Sequence, residues 1–308
     1  MGNFTQEVGV DAATGSTREK VNARIPTEVV ESILLTQVER RGLFVLAKGM
    51  AMNETQRFAL SKVPEVTLGF WIIKILATTL GETGGDAVTM SMKLGYAVGS
   101  MIFFGVFLIA VAGQVRESKF NPYLYWITIV ATTTVGTTMA DFADRSLGIG
   151  YAGGSSILLM ALVASLALWR WTEGTVSVNT VSTPRVEAFY WVTILFSQTL
   201  GTALGDWMAD TNGLGFGGGA IVFGAALLLV AALYYFTNAS RVALFWAAFI
   251  LTRPLGATVG DLLDKPHALG GLALNRYYAS AVLVAAMLAL ITVLPQRAGA
   301  HPQAATAS

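Results

Sequence analysis

The stretch FWIIKILATTLGETGGD, Phe70 to Asp86, opens like a membrane helix and then collects groups that a membrane tolerates badly. Lys74 interrupts the first apolar run, Thr78 and Thr79 follow one turn later, and Glu82 and Asp86 come at further four-residue steps. At 100° per residue, positions 74, 78, 82 and 86 drift slowly around one helix face, with Thr79 beside them. A charge facing lipid at mid-depth costs about 2.5–3.5 kcal/mol on insertion scales. The stripe is therefore expected to turn away from lipid, towards other polar stripes.

The chain supplies three more such stripes. Trp71, Trp126, Trp191 and Trp246 each follow an aromatic residue, in the pairs FW, YW, YW and FW. A glycine lies ten residues after each tryptophan (Gly81, Gly136, Gly201, Gly256) and an aspartate fifteen after it (Asp86, Asp141, Asp206, Asp261). The second stripe holds Thr133, Thr134, Thr137 and Asp141, the third Gln198, Thr199, Thr202 and Asp206, the fourth Arg253, Pro254, Ala257 and Asp261. A Gly-rich turn and a blander apolar segment follow each stripe, so each unit reads as two membrane helices. The fold class expected is an all-α integral membrane protein with eight transmembrane helices in four parallel tandem helix-hairpin repeats. The repeats fall at 64–115, 120–171, 184–236 and 240–295. The simplest packing puts the four first helices around a centre and the second helices outside, with the tenth-position glycines allowing close approach.

Flanking these repeats, residues 1–60 read as a polar extension with one amphipathic helix around TEVVESILLTQVERRGL, and 296–308 as a disordered tail. Lys48, Arg57, Lys62, Arg116, Lys119, Arg170, Arg185, Arg241 and Arg297 lie on the N-side and between units, against Lys93, Arg145, Lys265 and Arg276 within units. That asymmetry predicts a multi-pass membrane protein with both termini in the cytoplasm.

The tandem units, each with its tryptophan and its LGETGGD, VGTTMAD, LGTALGD or LGATVGD string, and the ending TRPLGATVGDLLDKP, resemble a bacterial family of uncharacterised membrane-anchored proteins. Members of that family are built from four tandem two-helix repeats. The resemblance covers about residues 64–295 and implies the architecture, with no activity attached to it.

Composition narrows the chemistry. The 308 residues are 54% hydrophobic and 13% charged, with a net charge of +1, which offers nothing to nucleic acid. With no cysteine and two histidines, thiolate sites and His-rich zinc or copper centres are excluded. No nucleophile–base string or nucleotide loop appears, so an enzyme is not expected. Carboxylates and hydroxyls are ligands for hard cations. The candidate ion-binding set is Glu82, Asp86, Asp141, Asp206 and Asp261 with Thr78, Thr79, Thr133, Thr134, Gln198 and Thr199, and the four aspartates are the candidate metal ligands. Lys74 and Arg253 are expected as intramembrane counter-ions, paired with acids or threonines of neighbouring stripes. The tryptophans are expected as interfacial anchors or packing, and Asp144, Asp210 and Asp264 as solvated turn residues. GETGGD is also similar, with one residue more, to the Glu-x-Gly-Asp motif of calcium/manganese–proton exchangers. The function expected is transport or exchange of Mn²⁺, Mg²⁺, Ca²⁺ or protons, with no cofactor beyond a bound divalent cation. The alternatives are transport of a small organic or anionic solute, and a non-transporting membrane scaffold or sensor. The partners are the bilayer and the small solute, and a homo-oligomer stays open.

Overall fold

The first helix of each unit begins where a polar cap is written into the sequence. In the computed structural model, which describes residues 60–211 and 213–300, the side chains of Thr67, Asn121, Thr183 and Ser240 accept the backbone N–H three residues on. Pro122 and Pro184 follow two of these caps at the first helical position, where a missing N–H costs nothing. The helices so started are α1 (Leu68–Asp86), α3 (Pro122–Asp141), α5 (Pro184–Asp206) and α7 (Arg241–Asp264). Between and after them run α2 (Gly95–Arg116), α4 (Tyr151–Glu173), α6 (Gly215–Phe236) and α8 (Arg276–Val293). Five of the eight, α2, α4, α6, α7 and α8, are long and apolar enough to cross a membrane.

α1, α3, α5 and α7 form a closed ring, each packed on the next and α7 packed back on α1. The other four helices lie outside it: α2 on α3, α4 on α5, α6 on α7 and α8 on α1. Each outer helix therefore covers the inner helix of the following repeat rather than its own. The expectation of inner and outer helices holds, while the pairing within a hairpin is shifted by one unit. The short 117–121 and 237–240 connections fold α2 and α6 back against the next inner helix. The outer faces are apolar, with Ile109, Met160, Ile221 and Val282 exposed.

Two strands fasten the ends of the ring. β1 (Leu60–Pro64) pairs antiparallel with β2 (Ala298–Ala300), so the chain entering α1 meets the chain leaving α8. Lys62 on β1 is buried, forms an ion pair with Glu187 at 2.6 Å and donates to the carbonyls of Gln114 and Val115 at 3.3 Å. The expected disordered tail from residue 296 is thus corrected over 298–300, where β1 supplies the missing backbone partners. The amphipathic helix read in residues 1–60 and the remainder of the tail lie outside the described residues.

Past each aspartate of the first three units the α-helix widens into a π-helical turn, at Ala87–Ser91, Phe142–Ser146 and Trp207–Thr211. The chain then reverses through backbone at positive φ. Gly150 and Gly215, at 76° and 64°, allow this without a Cβ clash. The fourth unit lacks the π turn and closes through a short 3₁₀ turn, His267–Leu269.

Candidate functional site

The ring is built in layers, and the sequence offsets from the tryptophans map onto them. At one end sits an aromatic plug. Each unit's leading aromatic meets the next unit's tryptophan, with centroid distances of 5.4 Å for Phe70–Trp126, 5.8 Å for Tyr125–Trp191, 6.4 Å for Tyr190–Trp246 and 5.7 Å for Phe245–Trp71. Tyr125 and Tyr190 share a hydroxyl hydrogen bond of 2.7 Å. Trp126, Trp191 and Trp246 are buried, so of the two roles expected for the tryptophans it is packing that the structure shows for these three.

The third position after each tryptophan forms the next layer. Three of its members, Ile129, Ile194 and Phe249, are apolar, and the fourth is Lys74. Lys74 is fully buried, its Nζ lies 4.2 Å from the centre of the Phe249 ring, and it has no hydrogen-bond partner among the described residues. The expectation that Lys74 pairs with an acid or threonine of a neighbouring stripe is therefore corrected. The first acid of the stripe, Glu82, comes about two helical turns further along.

The seventh position holds Thr78, Thr133, Gln198 and Arg253, and each backs onto the tenth-position glycine of the preceding unit. A Cβ on Gly256 would lie 2.2 Å from Thr78 Oγ1, one on Gly81 2.1 Å from Thr133 Oγ1, and one on Gly201 2.4 Å from Arg253 Cγ. These contacts repeat around the ring and set its width. Thr78 and Thr133 donate to the neighbouring helix, at Thr252 O and Ala77 O, each at 3.2 Å. Thr79, Thr134 and Thr199, one residue on, donate only to carbonyls of their own helices. They take no part in the shared interior.

Arg253 reaches from this layer to the next. Its Nη2 donates to Glu82 Oε2 at 2.9 Å and to the hydroxyls of Thr137 and Thr202, so one nitrogen ties α7 to α1, α3 and α5. Both partners of the ion pair are buried. For Arg253 the expected pairing with an acid is what the structure shows.

The aspartates form the last layer, and all four are buried. The structure divides them into pairs. Arg145 bridges Asp141 at 2.9 Å and Asp206 at 3.3 Å, and Lys265 bridges Asp86 and, at 3.1 Å, Asp261. Each cation comes four residues after one aspartate and reaches the aspartate of the next unit. Four carboxylates and two cations leave two negative charges over. Burial alone would lower the pKa of Lys265, and the carboxylates of Asp261, Asp86 and Glu82 outweigh it and raise that pKa, which keeps its ammonium charged.

Glu82, Asp86 and Asp261 bring carboxylate oxygens within 4.8 Å of one another, a spacing that suits a hard cation. The candidate metal ligands Asp86 and Asp261 belong to this group, while Asp141 and Asp206 sit on Arg145. Arg145 and Lys265 escaped the sequence reading, although their four-residue spacing from Asp141 and Asp261 was visible. Asp264, expected in solvent, is buried and accepts from Arg276 Nε at 2.8 Å. Asp210 accepts from the Tyr151 hydroxyl at 2.8 Å. A cavity of about 530 Å³ adjoins this end, lined by Met90, Arg145, Asp210, Phe216, Lys265, Pro266, Leu269 and Arg276.

No curated protein and no solved structure matches the chain. A family model described as Repeat of Unknown Function (DUF347) matches it four times, over residues 69–120, 124–175, 189–240 and 244–296. Each match spans one inner helix and the outer helix that follows it, and together they cover well over half of the sequence. The chain belongs to this repeat family, as a closed ring of four of its units.

Proposed function

We propose that the protein is an eight-span membrane transporter of a small hard cation, Mn²⁺, Mg²⁺, Ca²⁺ or protons, with Glu82, Asp86 and Asp261 as its entry site. The single observation that carries this reading is the convergence of those three buried carboxylates from two repeats beside a cavity. Lys265 leaves one negative charge over on the Asp86–Asp261 pair, and its displacement frees a second, so the pair matches one divalent cation or two protons. Lys265 then acts as a tethered cation that holds the acids together until a mobile one takes its place. α1, α3 and α5 are counted as spans because their polar faces turn into the ring, so lipid meets mostly the outer helices. In this reading the membrane is a bacterial inner membrane, and the Lys/Arg asymmetry supports cytoplasmic termini with the aspartate end outside.

Binding in detergent tests this reading. Mn²⁺, Mg²⁺ or Ca²⁺ should bind with release of protons, more weakly as the pH falls, because the ligands bind as carboxylates. Asp261→Asn should abolish the signal. If none of the three cations binds, the reading fails. The lining of the cavity by Arg145, Lys265 and Arg276 favours a small anionic solute as the second reading, and a panel of organic anions in the same assay separates the two.

A further inference from the structure

The interior below the acids holds polar groups that neither reading uses. Lys74, Gln198 and Arg253 are fully buried. Lys74 Nζ, Arg253 Nε and Nη1, and both ends of the Gln198 amide have no hydrogen-bond partner among the described residues. These atoms belong to adjacent layers of one ring. Gln198 and Arg253 both occupy the seventh position, and Lys74 lies over Phe249, one turn before Arg253 on α7. Thr202, one turn after Gln198 on α5, already receives Arg253 Nη2.

The unmet groups are nearly all donors. They comprise an ammonium, the free N–H groups of a guanidinium and an amide NH₂, against one amide oxygen. Glu82 neutralises Arg253, whereas Lys74 has no acid beside it among the described residues, so its ammonium form needs an anion. Water would meet the hydrogen bonds of a neutral Lys74 but would not compensate its ammonium form. A singly charged anion meets both needs, and complete enclosure limits its size.

We propose that Lys74, Arg253 and Gln198 hold a small monovalent anion of about halide size within the inner ring. This site is separate from the acid layer, lies on the aromatic-plug side of it, and stands whether or not the acids carry a cation. The anion fixes Lys74 in its charged form and shields it from Arg253.

The test is thermal unfolding of the full chain in detergent at constant pH and ionic strength, exchanging gluconate for chloride, bromide or formate. The expected result is a saturable rise in Tm with at least one of the three, with the halide and formate arms showing whether the occupant is a halide or a carboxylate. Lys74→Met should weaken the half-saturation concentration by roughly tenfold or more, and Gln198→Leu should weaken it less. Should Lys74→Met fail to fold, Gln198→Leu and direct titration of wild type with bromide carry the test. Equal Tm values in all four salts, or an anion effect untouched by both substitutions, would overturn the proposal.

Discussion

Arg253 carries more of the interior than any other single residue, because one nitrogen serves Glu82, Thr137 and Thr202 on three helices. Arg253→Ala leaves Glu82 as a buried, unpaired carboxylate and should destabilise the protein in detergent by about 3–5 kcal/mol. Arg253→Lys should recover part of this, since lysine lacks the planar fork, and adding Glu82→Gln to Arg253→Ala should recover more. A wild-type Tm for Arg253→Ala would contradict the role given to it. The ring contacts give a second expectation at this scale. Gly256→Ala forces a Cβ against Thr78 and should cost about 1–3 kcal/mol, while Gly105→Ala on α2 meets no atom within 4 Å and should be near neutral. Thermal unfolding of the two variants side by side checks this. The aspartate, glycine and Arg253 positions were legible in the sequence because they recur at fixed offsets or sit deep in an apolar run. The solitude of Lys74 was not, because it depends on Phe249 lying against it from another helix.

Elements explain why some of the polar stripe serves the site and some does not. The starts of the inner helices were written locally, as Thr67, Asn121, Thr183 and Ser240 followed by apolar runs. The π-helical turns beyond Asp86, Asp141 and Asp206 had no such local mark, and they carry Arg145 to a place where it faces two aspartates at once. Thr79, Thr134 and Thr199 looked like members of the site by angle alone, yet their hydroxyls bond their own helices. The strand clasp makes its own prediction. Lys62→Met removes the buried partner of Glu187 and loosens β1 from the ends of α2 and α5. Its cost should be about 3–5 kcal/mol, read as a lower Tm without loss of helical circular dichroism at low temperature. An unchanged Tm would mean that β1 and β2 do not help to hold the ring shut.

At the scale of the whole molecule, four similar units close into a ring that differs around its circumference. Units two and four bring the cations Arg145 and Lys265, while Met90 and Asp210 take the equivalent places in units one and three. A repeat pattern predicts a ring or a row equally well. What decides for the ring is α8 packing on α1 and β1 pairing with β2, contacts between residues about two hundred or more apart that no local pattern reveals. Eight spans require both ends of the described chain on one side of the membrane. A reporter after Arg297 should be cytoplasmic and one at Gly215 external, and reporters that place the two on the same side would contradict the span count.

The central claim is that the buried acids move a cation. Its most direct test is uptake of Mn²⁺, Mg²⁺ and Ca²⁺ into proteoliposomes, with wild type beside Asp86→Asn, Asp141→Asn, Asp206→Asn and Asp261→Asn. Wild type should load at least one of these ions, and Asp86→Asn and Asp261→Asn should lower the rate by roughly tenfold or more while still inserting and folding. Transport at the wild-type rate by all four variants, or no flux of any of these ions or of protons through wild type, would contradict the claim.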